Sequence, residues 1–93
     1  MLYEWDERKA AVNLAKHGVE FDAVHGFDWE TSVERIDDRE DYGELRIVAT
    51  GFIGVRLHIL VYAPSEEDED SVRIISLRKA DKGEQDEYRK AQA

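Results

Sequence analysis

Cysteine is absent from all 93 residues, which excludes a disulfide framework and thiolate chemistry. No apolar run approaches the ~20 residues of a membrane span. The first residues carry Glu4, Asp6 and Glu7, where a targeting segment would place basic residues before an apolar stretch. The reading is a soluble, cytoplasmic protein. Also missing are a glycine-rich phosphate loop, a Gly-x-Ser-x-Gly elbow and any Cys/His metal pattern. His17, His25 and His58 are too scattered for a zinc site, and Glu66–Asp70 lacks the glycine and spacing of a calcium loop. Neither a metal nor a cofactor is expected. Basic residues are scarce as well: 13 Lys plus Arg stand against 22 Asp plus Glu, a formal charge of -9. Nucleic-acid affinity comes largely from phosphate neutralisation, so broad non-specific binding is excluded and any such role needs a focused patch. Much of the acid is concentrated in Asp37–Asp41 and Glu66–Asp70, which read as loops.

The length fits one domain over residues 1–93, with a modest core that buries about 60–65% of the unfolded surface. The best-bounded element is a helix over Glu7–His17. Asp6 serves as its cap, Trp5 staples the end, and Gly18 suits the left-handed stop that returns Val19 and Phe21 to the core. At helical spacing Ala10, Ala11 and Leu14 form a narrow apolar stripe, with Lys9, Asn13, Lys16 and His17 along its edge. Leu2–Trp5 is either a short edge strand or the lead into this helix. One or two weak helical turns follow around Asp22–Phe27.

From Ser32 the period shifts toward two. A strand over Ser32–Asp37 has Val33 and Ile36 out of phase. Asp37–Gly43 reads as a turn, Glu44–Thr50 as a strand, and Gly51–Gly54 as a hairpin loop. Val55–Ala63 is the clearest strand, with Val55, Leu57, Ile59, Val61 and Ala63 on one face and Arg56, His58, Leu60 and Tyr62 on the other. Pro64 ends it, and Val72–Leu77 suggests a strand covered on both faces. Short connections predict a four-stranded antiparallel meander. Asp81 and Glu84 form a reciprocal cap for a C-terminal helix with little apolar surface beyond Ala80, Tyr88 and Ala91, which must fray or dock.

The side chains left for chemistry are cationic or amphoteric: Lys9 and His17 on the first helix, Arg46, Arg56 and Tyr62 on strands, and Arg73, Arg78 and Lys79 at the last strand. Such a set suits metal-independent cleavage of RNA. The 2′-hydroxyl must lose a proton, the phosphorane needs positive charge nearby, and the 5′-oxygen must gain a proton. Histidine exchanges protons near neutrality, and arginine can hold two phosphate oxygens. Lysines and arginines spread over several strands also serve as surface solubilisers, and spacing alone does not bring them together.

W-D-x-x-K-x-x-x-N-x-x-K-H-G-V-x-F (Trp5–Phe21), E-x-R-x-x-x-x-G (Glu44, Arg46, Gly51), R-L-x-x-x-V-Y (Arg56–Tyr62), R-I-I-S-x-R-K-A (Arg73–Ala80) and E-x-x-x-Y (Glu84, Tyr88) occur in order over nearly the whole chain. Together they resemble the BrnT toxins, the ribonuclease halves of BrnT/BrnA type II toxin-antitoxin pairs. The resemblance implies an α+β, RelE-like domain, with one or more N-terminal helices packed on a four-stranded antiparallel sheet and a C-terminal helix. It implies a metal-independent endoribonuclease that arrests translation and growth. It further implies silencing by a BrnA-like ribbon-helix-helix antitoxin in a heterotetramer of two toxins and two antitoxins, which reaches operator DNA only through the antitoxin and represses its own operon. On the matching motifs, Arg56 and Arg78 are expected as phosphate and transition-state clamps, Lys9 and Lys79 as electrostatic supports, and His17 or Tyr62 as proton carriers. Glu44 is expected either as a general base or as a strand-end partner of Arg46 or Arg56. The alternative is a catalytically silent homologue that only holds an antitoxin on DNA.

Overall fold

A computed structural model gives the structure of residues 1–92. The order is β1 (Leu2–Glu4), α1 (Glu7–His17), a 3₁₀ segment (Phe21–Gly26), β2 (Val33–Ile36), β3 (Ile47–Ile53), β4 (Arg56–Pro64), β5 (Ser71–Lys79) and α2 (Lys82–Gln92). Helix α1 has the bounds its caps predict. The Asp6 carboxylate accepts from the amides of Arg8 and Lys9 at 2.8 and 3.4 Å. Gly18, at φ 71°, closes the helix by donating to the Leu14 carbonyl. Helix α2 begins at the reciprocal pair, with the Asp81 amide on Glu84 at 2.9 Å and the Glu84 amide on Asp81 at 2.8 Å. It docks rather than frays: Tyr88 is buried, and its hydroxyl donates to the Thr31 carbonyl at 2.8 Å.

The expected four-stranded antiparallel sheet is corrected to a mixed sheet of five strands, in the order β1-β5-β4-β3-β2. β2 to β5 are antiparallel neighbours. β1 adds in parallel to β5, with Leu2 opposite Ser71 and Glu4 opposite Arg73. The reason lies in the free edge of β5, whose backbone donors and acceptors need partners. Three residues of β1 serve its first part. Farther along, α1 takes over: the Asn13 amide donates to the Leu77 carbonyl at 2.7 Å and to the Val19 carbonyl at 3.0 Å, while its oxygen accepts from the Leu77 amide at 3.2 Å. Asn13 therefore belongs to the buried side of α1, not to a polar edge, and Leu14 faces outward, 42% exposed.

The β3–β4 hairpin is tighter than the paired glycines suggest. β3 runs through Gly51 and Phe52, and only Gly54 and Val55 form the turn, with Gly54 at φ 61° as the first residue of a two-residue loop requires. Gly51 has a different task. A Cβ there would lie 2.7 Å from the Phe27 ring and 3.2 Å from the Asp28 carbonyl. Gly51→Ala is therefore expected to destabilise the fold by ~1–3 kcal/mol through overpacking, read as a lower urea midpoint at unchanged slope.

The two faces of the sheet carry separate clusters. Phe21, Val24, Phe27, Ala49, Leu60, Tyr62, Ile74 and Leu77 pack on one face beneath the 3₁₀ segment and α1. Val48, Leu57, Ile59, Val61, Ala80 and Tyr88 pack on the other beneath α2. A bulge adjusts β5 to both. Val61 pairs with Ser76 but Tyr62 with Ile74, so Ile75 is passed over; Ile74 and Leu77 join the first cluster while Ile75 packs against the second. Among the described residues no helix is long and apolar enough to cross a membrane.

Candidate functional site: a cationic hollow beside the C-terminal helix

The sheet registers set two rows across the α2 face: Val33, Thr50, Ile59 and Arg78, then Arg35, Val48, Val61 and Ser76. The apolar members form a floor, and β2 and β5 on either side of β3 and β4 supply the arginines. The end of α1 adds Lys16 and His17, the loop after β2 adds Arg39, and α2 adds Glu84, Glu87 and Tyr88. Together they enclose a hollow of about 390 Å³. Four permanent cations, Lys16, Arg35, Arg39 and Arg78, outnumber two carboxylates there. With Asp37 bonded behind Arg39 the excess of positive charge is small, but it is local and stands out against the chain's charge of -9.

Arg78 and Glu84 form an end-on pair, with guanidinium nitrogens Nη1 and Nη2 at 2.8 and 2.7 Å from the two carboxylate oxygens. The pair raises Arg78 above its ordinary value and, through the same hydrogen bonds, holds the Glu84 carboxyl below the usual range. Arg39 is anchored by the buried Asp37, whose oxygens accept from Nε and Nη2 at 2.8 Å each. These bonds, chiefly, bring Asp37 down to about 2. Tyr42 also donates to Asp37, and the Arg46 guanidinium stacks on the Tyr42 ring at 4.0 Å. The acidic loop is thus folded around its own arginines and delivers one of them to the hollow. His17 is half-buried beside Lys16 and Arg78; burial first, then those two charges, push its imidazole below the ordinary value.

Of the residues singled out from the sequence, Arg78 and His17 line this hollow. Lys9 lies in a shallower groove between α1 and β5, which shares Lys16, His17 and Ser76 with it. Arg56 lies on the other side of α2, in an apolar hollow with Phe52, Val55 and Leu57. It does not share a cavity with Arg78. The two guanidiniums nonetheless make long contacts to consecutive carbonyls of the β5–α2 junction, Arg78 to Lys79 at 3.4 Å and Arg56 to Ala80 at 3.5 Å. Lys79 is exposed at the end of β5, out of phase with Arg78. Tyr62 stands on the opposite face, where its hydroxyl donates to Glu34 at 2.6 Å; burial and that carboxylate push it far above the ordinary phenol value. Glu44 holds Arg46 at 3.3 Å and also pairs with Arg73, away from the hollow.

The sequence reading passed over Arg35 and Arg39. Arg35 could have been found by its phase, two residues from the inward Val33. Arg39 was hidden inside an acidic run. Among the described residues, no group of three His, Asp or Glu side chains gathers in metal-binding geometry. The arrangement can bind a phosphodiester, place positive charge on it from several sides, and offer an uncharged imidazole at neutral pH.

A family model described as "Ribonuclease toxin, BrnT, of type II toxin-antitoxin system" matches residues 5–84. Among solved structures, the chain is similar to the crystal structure of the Brucella abortus ribonuclease toxin, BrnT, with a TM-score of 0.60 at 21% identity, over 88% of this chain and 100% of that one. At that identity the likeness is one of fold. No curated protein sequence matches. The family match spans far more than half of the sequence, and the chain belongs to the BrnT ribonuclease toxins of type II toxin-antitoxin systems.

Proposed function

We propose that the chain cleaves RNA at the hollow beside α2 by metal-independent transphosphorylation, and that this arrests translation and growth. The observation that carries the reading is the gathering of Lys16, Arg35, Arg39 and Arg78 around one apolar floor in an otherwise acidic molecule. The scissile phosphate sits against Arg78, whose guanidinium stabilises the extra charge of the phosphorane. His17 takes the proton of the 2′-hydroxyl as its oxygen attacks phosphorus; the bond from phosphorus to the 5′-oxygen breaks, and that oxygen leaves with a proton from water. Lys9 and Lys16 draw the flanking strand along the α1 groove. Protein purified free of any partner is expected to cut single-stranded RNA in EDTA. A folded preparation inert toward RNA and harmless when expressed alone would refute this.

The histidine role fixes a pH profile. A general base must be unprotonated, and its unprotonated fraction exists above its pKa. Because His17 is pushed below its ordinary 6.5, kcat/KM is expected to be flat from neutrality upward and to fall only on the acid side of 6.5. Lys16→Ala removes one of the charges that lower His17 and should move that limb toward higher pH.

The partner we propose is a BrnA-like ribbon-helix-helix antitoxin, in a heterotetramer of two toxins and two antitoxins that represses the shared operon. A charge of -9 suits a subunit that touches operator DNA only through a basic partner. One observation favours a second reading, a silent homologue that only binds its antitoxin: Arg78 is already satisfied by Glu84. Expression of the chain alone separates the two, since the silent homologue leaves growth unchanged.

A further inference from the structure

The hollow's two paired arginines are held in different ways. Asp37 takes Arg39 side-on, through Nε and Nη2, and Nη1 of Arg39 meets no carboxylate among the described residues. Glu84 takes Arg78 end-on, and its two oxygens occupy both terminal nitrogens. That end-on fork is one of the two through which a guanidinium clasps a pair of phosphate oxygens. Nη1 of Arg78 also reaches the Lys79 carbonyl at 3.4 Å, which spends it twice. Glu84 is fixed in this position by the reciprocal cap of α2, with Oε1 accepting from the Asp81 amide at 2.9 Å. Arg35 adds to the field that keeps Glu84 ionised, and Arg39 lies close enough to Arg78 to disfavour its charge. Arg39 therefore offers its terminal end to an anion, whereas on Arg78 that end is taken by the protein's own carboxylate and only the Nε side is left.

We propose that Glu84 is a positioning residue that masks Arg78, and that an RNA phosphate seated first on Arg39 takes over the Arg78 fork as Glu84 releases it. This rests on the ribonuclease reading of the hollow and adds a selection to it. A lone small anion must displace a carboxylate that is held by a bidentate pair and a helix cap. A strand with neighbouring phosphates gains Arg39, Arg35 and Lys16 together and can meet that cost. The preferred substrate class is thus a single strand with consecutive phosphates, over mononucleotides and inorganic phosphate. The released Glu84 keeps its charge beside Arg35 and keeps its amide cap, so α2 need not unfold for the exchange.

Glu84→Gln tests this, because glutamine preserves the reciprocal cap and removes only the competing charge. For a short single-stranded RNA, KM is expected to fall about tenfold while kcat changes less than about twofold. Inhibition by inorganic phosphate is expected to strengthen by about tenfold or more. Asp81→Ala, which removes the cap acceptor but leaves the Arg78–Glu84 pair, should leave KM unchanged and so separates unmasking from a weakened helix. Independently of cleavage, titrating inorganic phosphate while following the Arg78 Nε–H resonance should shift it in Glu84→Gln at concentrations that leave the wild type unmoved. Equal phosphate response in the two proteins overturns the mask. If wild type cuts no RNA while the resonance behaves as expected, the ribonuclease reading fails and the mask stands.

Discussion

Arg78→Ala is expected to lower kcat/KM for RNA by about 10³-fold with the fold intact. The side chain is 35% exposed, on the wall of a hollow floored by Val48, Ile59 and Val61, so its charge is screened less than that of a fully exposed arginine. The phosphorane carries more negative charge than the phosphodiester it comes from, and a guanidinium in contact with it stabilises that difference. The orphaned Glu84 remains near Arg35 and keeps both reciprocal cap bonds, so unfolding should shift by no more than ~1 kcal/mol. Single-turnover cleavage, set beside thermal unfolding, reads both quantities. Arg78→Lys should recover only part of the rate, because an ammonium supplies charge without the fork. Arg56→Ala belongs in the same series. A loss as large as that of Arg78→Ala means the strand crosses the β5–α2 junction and touches both arginines; full activity confines it to the cationic hollow.

Asn13→Ala is expected to cost ~3 kcal/mol of stability, the largest effect of any single truncation proposed for this chain. One side chain satisfies the amide and carbonyl of Leu77 and the carbonyl of Val19, all away from water, and Asn13 itself is 5% exposed. Truncation strands three backbone groups and leaves a small void between α1 and β5. For a domain of this size the melting temperature should drop by roughly 12–24 °C. Asn13→Asp should fare no better, because a carboxylate cannot donate to either carbonyl. A drop of less than ~1 kcal/mol in urea unfolding would show that water replaces the side chain without penalty.

Local chemistry was legible, and so was the antiparallel succession of β2 to β5, which short connections dictate; the parallel pairing of β1 was not. Asp6, Gly18, Asp81 and Glu84 announced the helix ends because caps act within four residues of the chain. The apolar run of Leu57–Ala63 announced a central strand, and both of its rows are buried, one in each cluster. By contrast, β1 carries only Leu2–Glu4, too few residues for a periodic signal, and its parallel partner lies almost seventy residues away. Helical periodicity placed Asn13 with the polar edge because the wheel records polarity and cannot record that an amide completes a neighbouring strand. Gly51 looked like a turn residue; its real constraint is the ring of Phe27. At the candidate site, motif and chemistry singled out Arg78 and His17, and both line the hollow. Their companions Arg35 and Arg39 came from an edge strand and an acidic loop, and no spacing rule reaches across β2, β3 and β4. Tyr62 stands opposite Ile59 and Val61, as alternation has it, but alternation does not say which of the two faces α2 covers and hence which one carries the hollow.

Asn13 also bears on how the molecule behaves among copies of itself. An unpaired strand flank is a template on which another chain can add, and growth from such a flank leads to polymers. Between them, β1 and the Asn13 amide seal much of that template along β5. The opposite flank, β2, is four residues long, with Glu34 and Arg35 in its middle. A protein made to remain folded while bound and then act once released would need this resistance to self-templating in both conditions, and here three residues of β1 and one carboxamide supply it along β5.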